Sequence, residues 1–300
     1  SSALDDAEGA RVIGFHLEGP FLALPGVGSE TEPGDLTLLR DILAAAGGRV
    51  ASMSISPDTP NIIPVIEYLA EAGVVPFITH TRASVEQTVA AIEAGARHAT
   101  HFYDVFHVPG VADGGVRPVG VVETMLADPR CSVDFIADGV HVHPMAIRAA
   151  LAAKGVANVA LITDSNVGAG LAPGVYDTPF GFRISVEPGR GARNAEPGHP
   201  TEGCLAGSAL TMPEGVTNLL QWLDIPPEKV WGMATRVPAE ILNQPFLGSL
   251  EVGHQADLVL WDEENGHFRA SRTWVAGKQV WHDSQECAAM TERSQAGDFL

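Results

Sequence analysis

An α/β fold of the TIM type, a (β/α) barrel with a small β appendage, is predicted by three observations. Short apolar runs alternate with helix-like stretches through the first half of the chain, which argues for parallel strands joined by crossover helices. Acids and histidines gather at the C-terminal ends of those runs, the rim on which such barrels carry their chemistry. No glycine-rich phosphate loop follows any of them, as an open doubly wound sheet would have at its switch point.

Taken in order, the predicted strands are residues 11–17, 49–56, 74–79, 98–102, 132–137 and 159–163. Between them the pattern predicts helices at 36–46, 62–72, 85–94, 119–127 and 144–154. Gly73, Gly95 and Gly155 stand just past three of these, where a helix C-terminus favours glycine. The rhythm breaks at 171–208, a Gly/Pro-rich stretch in which Tyr176 to Ile184 reads as a hairpin. Helices resume at 212–223 and 229–242, and the pattern turns to β at 248–253, 256–261 and 273–281, the last with a turn at Ala276-Gly277-Lys278. The expected organisation is a barrel domain over 1–245 with a hairpin insertion at 174–205, a small β portion over 246–283, and a loosely ordered tail over 284–300. A complete barrel has eight strands, and six are found here with the first almost at the N-terminus. The barrel is therefore expected to lack its first strands, and the open edge is expected to be covered by a partner, with a homodimer as the assembly.

Composition bounds the function. The 300 residues carry 18 Lys plus Arg against 37 Asp plus Glu, a formal net charge of −19, while 45% are hydrophobic. The apolar fraction supports a real core, and the acidity disfavours nucleic acid and anionic membrane surfaces as partners. No apolar stretch approaches the ~18 residues of a membrane span, and the first residues lack the basic and apolar regions of a secretory signal. Cys131, Cys204 and Cys287 are odd in number and far apart, unlike a disulfide framework. A cytoplasmic protein acting on a small molecule is the expectation.

Glu18, His80 and His101 each follow a different predicted strand on one rim. One carboxylate and two imidazoles form a common catalytic zinc set with a position left open, although iron, cobalt or manganese also accept these donors. Asp164 follows a later strand and would face the same centre, where a carboxylate can take a proton and pass it on. The pattern points to metal-assisted hydrolysis. His98, three residues before His101, is expected to point out of the barrel, while His16 shares side-chain parity with Glu18.

The run Phe15-His16-Leu17-Glu18-Gly19-Pro20 resembles the His-Leu-Glu-Gly-Pro signature of the N-acetylglucosamine-6-phosphate deacetylases, within the amidohydrolase superfamily. Thr79-His80-Thr81, Thr100-His101, Asp138-Gly139-Val140-His141, Thr163-Asp164 and Leu205-Ala206-Gly207-Ser208 follow in that family's order, and Gly253-His254-Gln255-Ala256-Asp257-Leu258-Val259 is similar to a strand shared across the superfamily. The resemblance implies an amidohydrolase-type barrel holding a divalent metal, commonly zinc, on Glu18, His80 and His101. It implies Asp164 as general base and then acid in the hydrolysis of N-acetylglucosamine 6-phosphate to glucosamine 6-phosphate and acetate. His141 and Leu205 match substrate-contacting positions, and the resemblance makes His16 a supporting residue rather than a ligand.

Four departures qualify the resemblance. Asp104-Val105 stands where the family has the Asn-Ala pair that contacts substrate, so a negative charge replaces a neutral amide. Glu30 falls near the position of a histidine that polarises the scissile carbonyl. Arg117, in a shifted register, is the stand-in for a phosphate-binding arginine. The segment with the family's Pro-Gly-x-x-Asp-x-His-x-His motif, which precedes the Glu-Gly-Pro strand, is not in the sequence. The alternatives carried forward are an amidohydrolase for a non-phosphorylated N-acyl amine and an inactive sugar-binding homologue.

Overall fold

A computed structural model describes residues 9–27, 31–110 and 113–283. Glu30 and the tail expected at 284–300 lie outside the described residues. Two compact units emerge, one of Ile13–Gln244 and one joining Gly9–Val12 to the chain from Pro245 onward. The N-terminal residues thus group with the β portion, as in the Arg11 Nη1 bond to Gln255 Oε1 at 2.5 Å, and not with the barrel to which the sequence pattern assigned them.

The larger unit is built on six parallel strands in sequential order: β1 (Phe15–Glu18), β2 (Val50–Ile55), β3 (Val75–Ile78), β4 (His98–Ala99), β5 (Ser132–Ile136) and β6 (Val159–Ile162). Each is followed or preceded by a crossover helix: α1 (Leu36–Ala45), α2 (Ile62–Glu71), α3 (Val85–Ala94), α4 (Val121–Ala127) and α5 (Pro144–Lys154). The helix starts are written in the sequence. Asp35 accepts from the amides of Thr37 and Leu38 at α1, Ser84 and Gln87 form a capping box at α3, and Pro144 occupies the first turn of α5 behind the cap His143.

Period-two alternation along the strands divides the sheet into two unlike faces. Met53, Ile55, Ile78, Ala99, Val133, Phe135, Val159 and Leu161 belong to one core with Val65, Ile66 and Leu69 of α2 and Ile92 of α3. His16, Glu18, Ser52, His98, Thr100, Asp134 and Asp164 line a cavity of ≈ 290 Å³ on the opposite face. A sheet whose concave side is this polar reserves that side for chemistry.

Three further differences from the sequence pattern have local causes. The helix expected over 229–242 is two, α6 being Met212–Trp222, α7 Pro227–Ala234 and α8 Arg236–Ile241, with Thr235 leaving helical geometry at φ −130°, ψ −79°. Pro238 has no amide to offer the carbonyl of Ala234, and the helix breaks there. The hairpin insertion is a three-stranded antiparallel sheet, β7 (Gly174–Asp177), β8 (Arg183–Val186) and β9 (Ala192–Asn194), around Phe182, Ile184, Val186 and Ala192. In the smaller unit β10 (Leu258–Glu264), β11 (His267–Val275) and β12 (Lys278–His282) form a meander. Its first turn, Asn265-Gly266, takes positive φ at both residues, the hairpin chemistry an Asn-Gly pair favours. Residues 248–253 form turns in place of the expected strand. No helix among the described residues is long and apolar enough to cross a membrane.

Candidate metal centre and its acid–base group

The end of β1 and the turns after β3 and β4 bring the expected ligands to one point. Glu18 Oε1 lies 3.1 Å from His80 Nε2 and 2.9 Å from His101 Nε2. One donor atom from each of the three falls within 4.8 Å of the others. Donors around a tetrahedral ion with bonds of about 2.0–2.1 Å sit roughly 3.3 Å apart. One carboxylate and two imidazoles at these separations fit a divalent metal. One outer contact suits the role as well, His80 Nδ1 lying 3.2 Å from the carbonyl of Leu24, while Thr79 Oγ1 is 3.3 Å from Nδ1 and 3.2 Å from Nε2 of His101.

The backbone at these positions is unusual. His80, His101 and Asp164 have φ of 48°, 34° and 47°, left-handed values that non-glycine residues seldom adopt. Each stands two residues past a strand end, after Thr79, Thr100 and Thr163, so a sharp turn aims the side chain over the sheet's rim. Such conformations cost about 1–3 kcal/mol each and persist where the surroundings fix them. The surroundings here are explicit. Thr81 Oγ1 donates to Asp58, the amide of Thr81 bonds the carbonyl of Val105 at 3.1 Å, and the amide of Ser208 bonds the carbonyl of Asp164 at 2.7 Å.

Electrostatics follow from the geometry. Burial would raise the Glu18 carboxyl, but hydrogen bonds from His101 and His80 and their charges hold it well below the usual carboxylate range, although 41% of the side chain is exposed. Burial would lower His101, and the bond to Glu18 together with the charges of Glu18, Asp164 and Asp134 lifts it to about 9. Burial, with the nearby charge of Glu18, raises Asp164 against the opposing effect of His101 and His141. A carboxyl whose affinity for protons is raised is suited to both accepting and returning one.

His141 is held by Asp138, whose Oδ2 is 2.7 Å from His141 Nδ1 and whose Oδ1 accepts from the amides of Val140 and His141, both at 2.9 Å. Asp138 thus ties its own loop together. Burial opposes a charge on His141, but Asp138, with Asp104 and Asp164 beyond it, outweighs this and raises its pKa above 6.5. The sign is that of a group raised on folding: its contribution is full below about pH 6.5 and is lost as pH rises through the higher folded value. The C2 proton of His141 in an NMR titration is expected to report a pKa above 6.5, and Asp138→Asn to bring it down. An unchanged midpoint in that variant would remove Asp138 from the account.

Of the other expected substrate contacts, Asp104 is half-buried and close enough for its charge to act on His141. Val105 uses its carbonyl to brace Thr81. Leu205 pairs with Arg193 in an isolated bridge and approaches the same wall as His141, since a Cβ on Gly191 would lie 3.0 Å from Leu205 Cδ2 and 3.7 Å from His141 Cε1. Arg117 is 74% exposed, donates to Glu123 at 2.6 Å, and does not line the cavity. No lysine or arginine occurs among the described residues that do.

Gly207, at φ 65°, explains the small residues after Leu205: a Cβ there would meet the carbonyl of Asp164 at 2.7 Å. Gly207→Ala is expected to displace the Asp164 turn and lower kcat/KM about tenfold or more, since misplacements near 1 Å cost up to ~10²-fold. Wild-type kinetics in that variant would show that the turn has slack.

Three features of the cavity differ from the sequence pattern or are not marked by it. His98 faces the cavity and not the outside, because strand parity does not continue past Ala99, where β4 ends and His101 turns left-handed. Asp134, among Val133, Phe135 and Ile136, was passed over; an acid at an inward position of an otherwise apolar strand was the available signal. Pro238, Ile241 and Leu242 close the cavity from α8, and nothing in their local pattern announces it. His16, expected as a supporting residue, has Nδ1 2.8 Å from Ser52 Oγ and Nε2 3.0 Å from Ser54 Oγ.

Residues 3–280 match the amidohydrolase family. The chain is 33% identical to an N-acetylglucosamine-6-phosphate deacetylase of Vibrio furnissii over 97% of its own length and 69% of that protein's. It is 31% identical to an N-acetylgalactosamine-6-phosphate deacetylase of a Shewanella species, over 93% and 68%. Among solved structures, a mutant N-acetyl-D-glucosamine-6-phosphate deacetylase of Mycobacterium smegmatis in complex with N-acetyl-D-glucosamine-6-phosphate superposes with a TM-score of 0.74 at 30% identity, over 89% of this chain and 68% of that one. The chain therefore spans about two thirds of the length of the curated relatives it matches, 62–69% for three of them.

Proposed function

The chain belongs to the amidohydrolase family, and from that premise we propose that it hydrolyses the acetamide of an N-acetyl amino-sugar phosphate, N-acetylglucosamine 6-phosphate foremost, to the free amine and acetate. The observation that carries the proposal is Asp164, which lines the same cavity as Glu18 and His101 and whose proton affinity is raised with Glu18 close by. Those three would hold the metal, zinc being the first expectation. When bound, it supplies polarisation of the acyl carbonyl and activation of water.

The protein's own residues do the rest. Asp164 accepts the proton that water loses as its oxygen forms the new bond to the acyl carbon. The same carboxyl then donates that proton to the nitrogen as the carbon–nitrogen bond breaks, which makes the amine a leaving group. His141, fixed by Asp138 and with its proton affinity raised, serves as a hydrogen-bond donor to the sugar, and Leu205 packs beside it. The expected homodimer and cytoplasmic location belong to the same reading, as does the division of the chain near residue 245.

Acetate release from N-acetylglucosamine 6-phosphate, its galactosamine epimer and the unphosphorylated sugar tests the assignment. Turnover of the glucosamine phosphate at a kcat/KM well above the others supports it, and absence of turnover on all three overturns it. A second reading, hydrolysis of a non-phosphorylated N-acyl amine, is favoured by Asp104. Its negative charge beside His141 would repel a phosphate and attract an amine. Preference for the unphosphorylated sugar in the same assay would decide for that reading.

A further inference from the structure

Asp134 lies in mid-β5 with its side chain 3% exposed, and every hydrogen bond it makes runs toward the strand that carries His101. Oδ1 accepts the backbone N–H of His101 at 2.5 Å. Oδ2 is 2.8 Å from His98 Nε2 and accepts from Thr100 Oγ1 at 3.0 Å. His98 Nδ1 is in turn 2.7 Å from Ser132 Oγ, one pleat below Asp134 on β5. The carboxylate cannot swing away without taking a partner from three buried groups, the His101 amide, the His98 ring and the Thr100 hydroxyl.

The need for this arrangement is visible in the ladder. Among the six parallel strands β4 is the shortest, at two residues, and it ends at Ala99. The amide of Thr100 is still bonded to the carbonyl of Ile78 at 3.2 Å, and that of Phe102 to the carbonyl of Asp134 at 2.9 Å. His101 lies between them at φ 34°, where its amide has left the ladder. A side chain from the neighbouring strand takes the place of the missing backbone acceptor.

We infer that Asp134 is a positioning residue for the metal centre: through the His101 amide it fixes the left-handed turn from which the imidazole reaches Glu18. The inference rests on the reading of Glu18, His80 and His101 as metal ligands. It differs from the usual outer contact of a ligating histidine, in which a carboxylate holds the second ring nitrogen. Here the backbone is held, and the ring follows.

The test is zinc affinity of the full chain by chelator competition, with the visible spectrum of the cobalt(II) form as a second readout and thermal unfolding of the metal-free protein as the control for folding. Asp134→Asn is expected to fold and to bind zinc at least tenfold more weakly, with a weakened or displaced cobalt band. Ser132→Ala, which touches the same network only through His98, is expected to stay within threefold of wild type. Asp134→Glu, which keeps the charge but moves it by a methylene, is expected to behave like the asparagine variant and serves if that one does not fold. Zinc affinity within threefold of wild type in the Asp134 variants overturns the inference, as does an equal loss in Ser132→Ala. Wild-type protein that binds no zinc overturns the metal reading itself, a different result from a metal-binding wild type with an indifferent Asp134.

Discussion

Replacing Asp164 by asparagine is expected to lower kcat by about 10²–10⁴-fold, the range a positioned general acid–base group contributes, while leaving bound metal unchanged. The amide keeps the shape of the side chain and the bond between the Asp164 carbonyl and the Ser208 amide, so the turn at φ 47° has no reason to move. What disappears is the carboxyl that exchanges protons. The pH profile separates this from a packing effect. Asp164 must be ionised to accept a proton, and its affinity for that proton is raised by burial and by Glu18. The acid limb of kcat/KM in the parent protein is therefore expected above the ordinary Asp range near pH 3.8, with activity falling as pH drops through it. The residual activity of Asp164→Asn should lack that limb. Turnover within tenfold of the parent, with the limb intact, would give the proton-transfer role to another group. A protein that only binds its sugar would show no turnover to lose.

Glu18→Gln is expected to abolish stoichiometric metal binding and all turnover with it. Glu18 Oε1 is the atom common to both short contacts of the cluster, 3.1 Å to His80 and 2.9 Å to His101. A neutral amide in its place removes the one anionic donor. The loss should exceed the ~10–100-fold that an outer contact is worth. The pH dependence of metal uptake adds a signature. In the metal-free protein the Glu18 carboxylate holds His101 protonated up to about 9, and a ligating imidazole must be neutral. Zinc affinity of the parent should rise with pH until about 9 as this proton is released more readily. Metal content by elemental analysis after gel filtration, at several pH values, checks both statements. Stoichiometric zinc in the variant would dismiss Glu18 as a ligand.

Much of this site could be read before any coordinates, because a barrel places chemistry at the ends of its strands. Glu18, His80, His101 and Asp164 were each legible as polar residues closing an apolar run, and the sheet brings the first three within 4.8 Å. Helix boundaries were legible where a cap is encoded, as at Asp35, Ser84 and Pro144. Reading failed where a side chain's direction depends on a turn that the pattern does not record. His98 was assigned outward by counting through His101, but parity is a property of extended backbone and ends with it. Pro238 broke a helix whose apolar spacing ran straight through it, and the resulting α8 closes the cavity with Ile241 and Leu242.

The sequence by itself determined the class of fold, the order of strands and helices, and which polar residues close the apolar runs as candidates for holding a metal and moving a proton. These are local facts, set by hydrophobic period, capping chemistry and residue type. Only the tertiary structure decided how those groups are held. Which buried oxygen meets the His101 amide, which carboxylate charges His141, and which arginine is drawn to Glu123 and away from the cavity depend on distances between strands and loops far apart in the chain. Electrostatic energy falls with distance and is strengthened by burial, so neither proton affinities nor pairings exist until the chain has closed around them.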